Sequence, residues 1–564
     1  VSLGIQYQEG HAEAFYRPTE EIEGRVRYWI QQRSGARKSG IAFGSPGGNF
    51  STFAAPEDDR IQNIRAGLEW AEPGWSVALG YDGSIHTNEI DSLIVANPLR
   101  ATNQFPLTGV SATGGTSAPT FGRLSVAPGN SAHGLNLTGA AEIPVGFPMR
   151  VAATFGYQLR LQDEDFVPQT INAVLNNAFA GARTLGRDSL EGQVNVWLAN
   201  IVLTGHPLRD LDFALRYRVY EFDNTTGLFH NQAELVTDST FSTTTVENTP
   251  LDWLKQNLGF DAGYRITPEL KLDFTLGWDS WRRSELREVR HQNDHLVGAH
   301  LEARPAEWAV IRTGYSWANR RWGMYVPTPG ELPQLRKYDQ ANRVENAVDA
   351  LIQLTPIEPL QLSMSGSYGY WAYGSSDYGL TNSRFWTLGG EVSYQPFERL
   401  GFTAWYSYES ISDNQTSRNS PGAPLSPPTN DWFSRFKSGA STAGTTANIV
   451  VWPSLVDLQL NWLFQTSQNN TLTTGASAAS GAFGWPKNGD NLLSIGPTLA
   501  VHVTDHVTIR GTYRYERYRL DDFQINNLSP YMPFASANST DVFLGGRIDN
   551  YDANVFGISA QYKF

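Results

Sequence analysis

The chain has 564 residues, with 43 basic side chains against 56 acidic ones, a net charge of −13 and no cysteine. Without cysteine there can be no disulfide, no thiol catalysis and no cysteine-ligated metal, and no covalently attached c-type haem on this chain, because that attachment needs two cysteines and a histidine. The acidic balance disfavours a nucleic-acid partner, which calls for a basic face.

Mean hydropathy is −0.35, and no run of about 18 apolar residues exists, so no transmembrane helix is expected. A barrel strand shows lipid on alternate residues only, so its average stays polar. With 24 Tyr and 17 Trp, the chain is richer in amphipathic rings than a soluble core needs, and such rings suit the interfacial girdles of a barrel. Numbering from Val1 without a methionine suggests a mature chain whose signal peptide has been removed on export.

Residues 102–120 are rich in Ser, Thr, Gly and Pro and read as an external loop. Residues 168–189 read as another, with a short helix expected around Ile171 to Ala182. From Leu211 the chain alternates: Leu211, Phe213, Leu215, Tyr217 and Val219 against Asp212, Ala214, Arg216 and Arg218. That period of 2 predicts a strand with one apolar and one polar face. Leu270 to Asp279 repeats it, with Leu272, Phe274, Leu276 and Trp278 against Lys271, Asp273, Thr275 and Asp279. So do the stretches 360–370 and 400–409. Residues 412–446 and 471–491 read as external loops by the same composition as the first. Alternation returns in Val507, Ile509, Tyr513 and Tyr515 against Thr508, Arg510, Thr512 and Arg514. It closes the chain with Phe556, Ile558, Ala560, Tyr562 and Phe564. A terminal strand ending on an aromatic resembles the closing strand of an outer-membrane barrel. Phe556, Ile558, Tyr562 and Phe564 are therefore the expected assembly signal.

Short segments containing Pro with Asp, Glu or Thr lie before many strands, at 206–210, 267–269, 304–307, 355–359 and 395–398. Proline presets φ, and Asp bonds back to the backbone, so these read as tight periplasmic turns. The charged face of each strand must turn inward, since Arg or Lys near the bilayer midplane costs about 2–4 kcal/mol. Asp212, Arg216, Arg218, Asp273, Asp279, Arg510 and Arg514 are thus expected to face the lumen and its partner. The reading is all-β: a large single-chain transmembrane antiparallel β-barrel, one domain over 1–564, with short periplasmic turns and long extracellular loops. At roughly 43 residues per hairpin it would hold about 26 strands, in the range of about 24–28. A soluble β-sandwich with wet outer faces is the alternative, but it would need a second buried face and strands of about 5–6 residues.

The segments between strands resemble one family, the MtrB/PioB outer-membrane barrels associated with decahaem cytochromes. The similarity covers residues 80–564. It is carried by Ser84-Ile85-His86-Thr87-Asn88 and Asn97-Pro98-Leu99, by Ala127-Pro128-Gly129-Asn130 with Ala132-His133, and by residues 162–168. Its strongest part is Arg336-Lys337-Tyr338-Asp339 with Ala341 and Arg343, followed by Ser376-Asp377-Tyr378-Gly379-Leu380 and Ser393-Tyr394-Gln395-Pro396. Tyr513-Arg514-Tyr515-Glu516, Asp521-Asp522-Phe523, Leu544-Gly545 and Asn550-Tyr551-Asp552-Ala553 complete the order. The Cys-x-x-Cys pair of some members is missing.

The resemblance implies the porin of a porin–cytochrome conduit in the bacterial outer membrane. Such a barrel sheathes a periplasmic multihaem c-type cytochrome through which electrons cross the membrane, and it binds no cofactor itself. An extracellular multihaem cytochrome is a further partner the resemblance allows. The lipid bilayer with its lipopolysaccharide and the barrel-assembly machinery are the remaining partners expected. A general diffusion or transport porin is the alternative function. A lipopolysaccharide translocon or fimbrial usher would carry soluble terminal domains, and none is legible. No catalytic arrangement or metal site is expected: the ten histidines are scattered, and Asp163-Glu164-Asp165 lacks calcium-loop spacing.

Overall fold

The computed structural model describes residues 3–43, 49–97, 120–168, 171, 185–231, 234–236, 240–242, 245–328, 331–419, 427–523, 531–533, 540–542 and 550–563. Within a bilayer every backbone N–H and C=O must find its partner inside the sheet. Among the described residues the chain forms one large sheet of 24 strands. Three are short, Leu335–Arg336, Tyr531–Pro533 and Thr540–Val542. The remaining 21 run from 12 to 24 residues and succeed one another as an antiparallel meander from Gly4–Tyr16 to Tyr551–Tyr562. The sheet thus holds the expected fold, with fewer long strands among the described residues than the roughly 24–28 expected. The strands outrun the ~10 residues a bilayer requires, so each hairpin takes more chain. Among the described residues no pairing joins the first strand to the last, and there is no α-helix.

Two unlike ends result. Most connections at one end are two to four residues, as at 73–74, 209–210, 268–269, 307–308, 358–359 and 398–399. Those at the other end are longer, as at 225–252, 284–290, 323–342 and 476–487. These are the short turns and long loops that the sequence predicts. The predicted turns fall where expected but are tighter, because strands such as Gly192–Leu208 and Arg343–Ile357 extend through their prolines. Two predicted loops are corrected. Residues 412–446 are mostly the arms of Leu400–Arg418 and Asp431–Trp452, joined by 419–430. Residues 471–491 shrink to the loop 476–487. Ser434, Ser438, Thr442 and Thr446 of the second arm stand on the polar face, where no lipid excludes them. The expected loop 102–120 and the expected helix at 171–182 lie almost wholly outside the described residues.

Register shows the two faces. Leu215, Phe260, Leu276, Val297 and Trp317 stand side by side across five strands, forming an apolar row. On the other face Arg218, Asn257, Asp279, Asp294, Arg320 and Arg343 form a polar row. A wall one strand thick has no interior, so buried apolar clusters form where loop segments fold back. Ile41 and Val95 pack together with Phe53, Leu93 and Leu124. Val289, Ala341 and Tyr325 are buried at a second such place.

Candidate functional site

Five of the seven residues expected in the lumen share the polar face of two strands, Leu211–Asn224 and Leu270–Arg283. The strand Trp253–Thr267 stands between them and contributes Asp261 and Asn257. Lys271 Nζ lies 2.8 Å from Asp273 Oδ1 and 3.6 Å from Asp212 Oδ1. Arg216 pairs with Asp261, Asp279 accepts from Asn257, and Arg218 stands opposite Asn257. Gly263 makes this crossing possible, since a Cβ there would lie 2.6 Å from Asp273 and 2.7 Å from Asp212. Arg510 and Arg514 are on the polar face of Val507–Asp521, apart from this group. Arg514 Nε is 3.4 Å from Glu516 Oε2. In the last strand Phe556 and Ile558 are 77% and 85% exposed, and Tyr562 shares their face by the period of 2. Phe564 lies outside the described residues.

Most of the sequence motifs gather at the long-loop end, in three clusters, whereas Ser393-Tyr394-Gln395-Pro396 lies at the turn end. In the first, His86 Nε2 is 2.9 Å from Asp59 Oδ2, and Asn88 Nδ2 donates to the Ala127 carbonyl at 2.9 Å. In the third, Tyr515 donates to Asp552 at 2.7 Å and the Leu520 amide donates to Asn550 at 2.6 Å.

The middle cluster is the most built. Leu335 and Arg336 pair in parallel with Tyr378 and Gly379, which joins two motifs far apart in sequence. Gly379 has φ +101°, and a Cβ there would lie 2.4 Å from the Arg336 carbonyl, so this position needs glycine. Glu288 then accepts from Lys337 and, at 2.6 Å, from Gln340 Nε2. The Gln340 oxygen accepts from the Val289 amide at 2.9 Å. Arg320 donates to the carbonyls of Tyr338, Asp339 and Ala341 at 2.5, 3.3 and 2.8 Å. Arg287 reaches Asp339 at 2.8 Å. Burial pushes the Glu288 carboxyl up, but hydrogen bonds from Lys337, Gln340 and its own backbone outweigh it and hold the group at about 2. The same bond to Glu288 raises Lys337. Burial raises Tyr325, whose hydroxyl accepts from the Lys337 amide at 3.2 Å.

Because Arg320 belongs to the polar row, the loop it grips lies against the polar face. The cluster is a fixed collar on that face, and it can hold or shape what passes there. The motif order marked these residues, but nothing in the sequence paired Glu288 with Lys337 and Gln340.

The whole chain, residues 1–564, matches a family model described as "outer membrane beta-barrel porin, MtrB/PioB". The outer membrane protein MtrB of Shewanella baltica (strain OS185) is 24% identical over 566 residues, covering 95% of this chain and 71% of that protein. Among solved structures, the FrpB iron transporter of Neisseria meningitidis (F3-3 variant) aligns with TM-score 0.50 at 9% identity, over 98% of this chain and 79% of that one. A point mutant of the ferric enterobactin receptor PfeA of Pseudomonas aeruginosa aligns with TM-score 0.52 at 10% identity, over 99% and 78%. At such identities the two structures share the fold alone.

Proposed function

This chain belongs to the MtrB/PioB family of outer-membrane β-barrel porins, and from that premise we propose that it sheathes a multihaem c-type cytochrome across the outer membrane. The polar face is the lumen and the apolar face meets lipid. The observation that supports this most is the continuous polar row across six strands, carrying both signs of charge. A hydrocarbon slab of about 30 Å excludes a charged cytochrome surface, whereas a polar wall can pair with it. Barrels of about 16–18 strands already leave an aqueous channel and those of about 22 are plugged, so a wall of this many strands calls for an occupant. Electrons pass along the partner's haems, and the barrel insulates them without redox chemistry of its own. Phe556, Ile558, Tyr562 and Phe564 serve as the assembly signal.

A complex purified through a tag on this chain should be red, with a c-type haem spectrum, and closed in single-channel recording. Removing the haem protein should open a large steady conductance. A colourless barrel that conducts solutes as isolated would overturn the sheath in favour of a diffusion porin.

A further inference from the structure

The collar forms part of the wall of a cavity of about 600 Å³ at the long-loop end of the polar face, a size typical of binding sites, which span about 300–1,000 Å³. Trp253, Trp281 and Trp371 line it together with Asp279, Asp294 and Arg343. Register sets Asp279 directly opposite Asp294, and Arg320 directly opposite Arg343. Like charges directly opposite destabilise a sheet. The two guanidiniums are relieved: Arg320 by three loop carbonyls, Arg343 by Asp294 and Glu345 at 3.4 and 3.1 Å. The carboxylates are less so. Asp279 accepts from Asn257, and Asp294 Oδ1 is buried with no hydrogen-bond partner among the described residues. The rings already take cations. Lys255 and Arg283 lie 4.9 and 5.0 Å from the Trp281 ring, and Arg343 lies 5.2 Å from Trp371. Of the other guanidiniums in the wall, Arg287 is paired with Asp339 and Arg283 donates to Gln292, so what the cavity still has to offer is carboxylate oxygen beside aromatic rings.

We infer that this cavity receives a guanidinium or primary ammonium group, held by Asp279 and Asp294 and flanked by the tryptophans. Resting on the sheath reading, the group is a Lys or Arg side chain of the polypeptide that fills the barrel. Trp, Tyr and Arg are the residues that carry most binding energy at protein interfaces, and a pocket fixed by a hydrogen-bonded collar loses little freedom on binding.

The test uses the complex purified through this chain, comparing the double variant D279N/D294N with E307Q/E358Q, two exposed carboxylates on the short turns at the opposite end of the wall. Exchanging two facing carboxylates for amides removes their repulsion at the cost of one of the two partners of Arg343, Glu345 remaining, so thermal unfolding of the empty barrel should change little. D279N/D294N should lose its haem partner in a salt wash about tenfold faster or more, while E307Q/E358Q behaves as the unaltered chain. Equal retention in all three overturns the inference and leaves the sheath standing. If the unaltered, folded chain carries no haem partner, the sheath itself fails, and arginine methyl ester decides the site. Quenching of tryptophan fluorescence that D279N/D294N abolishes then assigns the group to a free cation, and no quenching overturns the cation site.

Discussion

The two ends of one stretch of wall, from Leu211 to Trp322, use the same residue types in opposite ways. At the turn end Lys271, Asp212, Asp273, Glu302 and Arg304 pair by side chain alone, at 2.8 to 3.6 Å, in half-buried to exposed positions. At the loop end Glu288, Lys337 and Gln340 close a buried network, and Arg320 is tied to backbone carbonyls. Exposed pairs are screened by water and worth little, whereas desolvated ones hold geometry and are costly to break. Charge at the turn end is a surface property; charge at the loop end is architecture.

Arg320→Met should have the largest effect, on the order of 3 kcal/mol, because three loop carbonyls lose a charged donor. Hydrogen exchange over 336–342 should rise sharply while the strands stay protected; unchanged exchange there would put the two ends on a par. Acid comes next. Glu288 sits at about 2 against an ordinary 4.5, a folded value below the unfolded one. Its contribution is therefore full above about pH 4.5 and lost as the pH falls through about 2. Loop exchange corrected for intrinsic rate should follow that window in the unaltered chain and not in Glu288→Gln. Gln340→Ala should cost about 1–3 kcal/mol by leaving the buried Val289 amide unmet, read as a lower thermal midpoint for the loop's protection. Lys271→Met should stay within about 1 kcal/mol; a larger loss would show that the turn end is built as the loop end is.

The wall was legible because its pattern is local. Residues 211–220 and 270–279 alternate in sequence, and the strands Leu211–Asn224 and Leu270–Arg283 follow from them. Composition misled in 431–446, which looked like loop and is strand. The motif Arg336-Lys337-Tyr338-Asp339 was visible, but its role as a collar was not, since its partner Glu288 lies 49 residues away from Lys337.

By itself the sequence determined the class, the two faces and the position of the turns, because a period of 2 and the φ of proline act within a few residues. Only the tertiary structure decided which side chains stand together. Register between strands is set by pairing over long separations, and a slip of one residue exchanges the faces. That is why Asp279 meeting Asp294, and Gln340 closing on Glu288, could not be read along the chain.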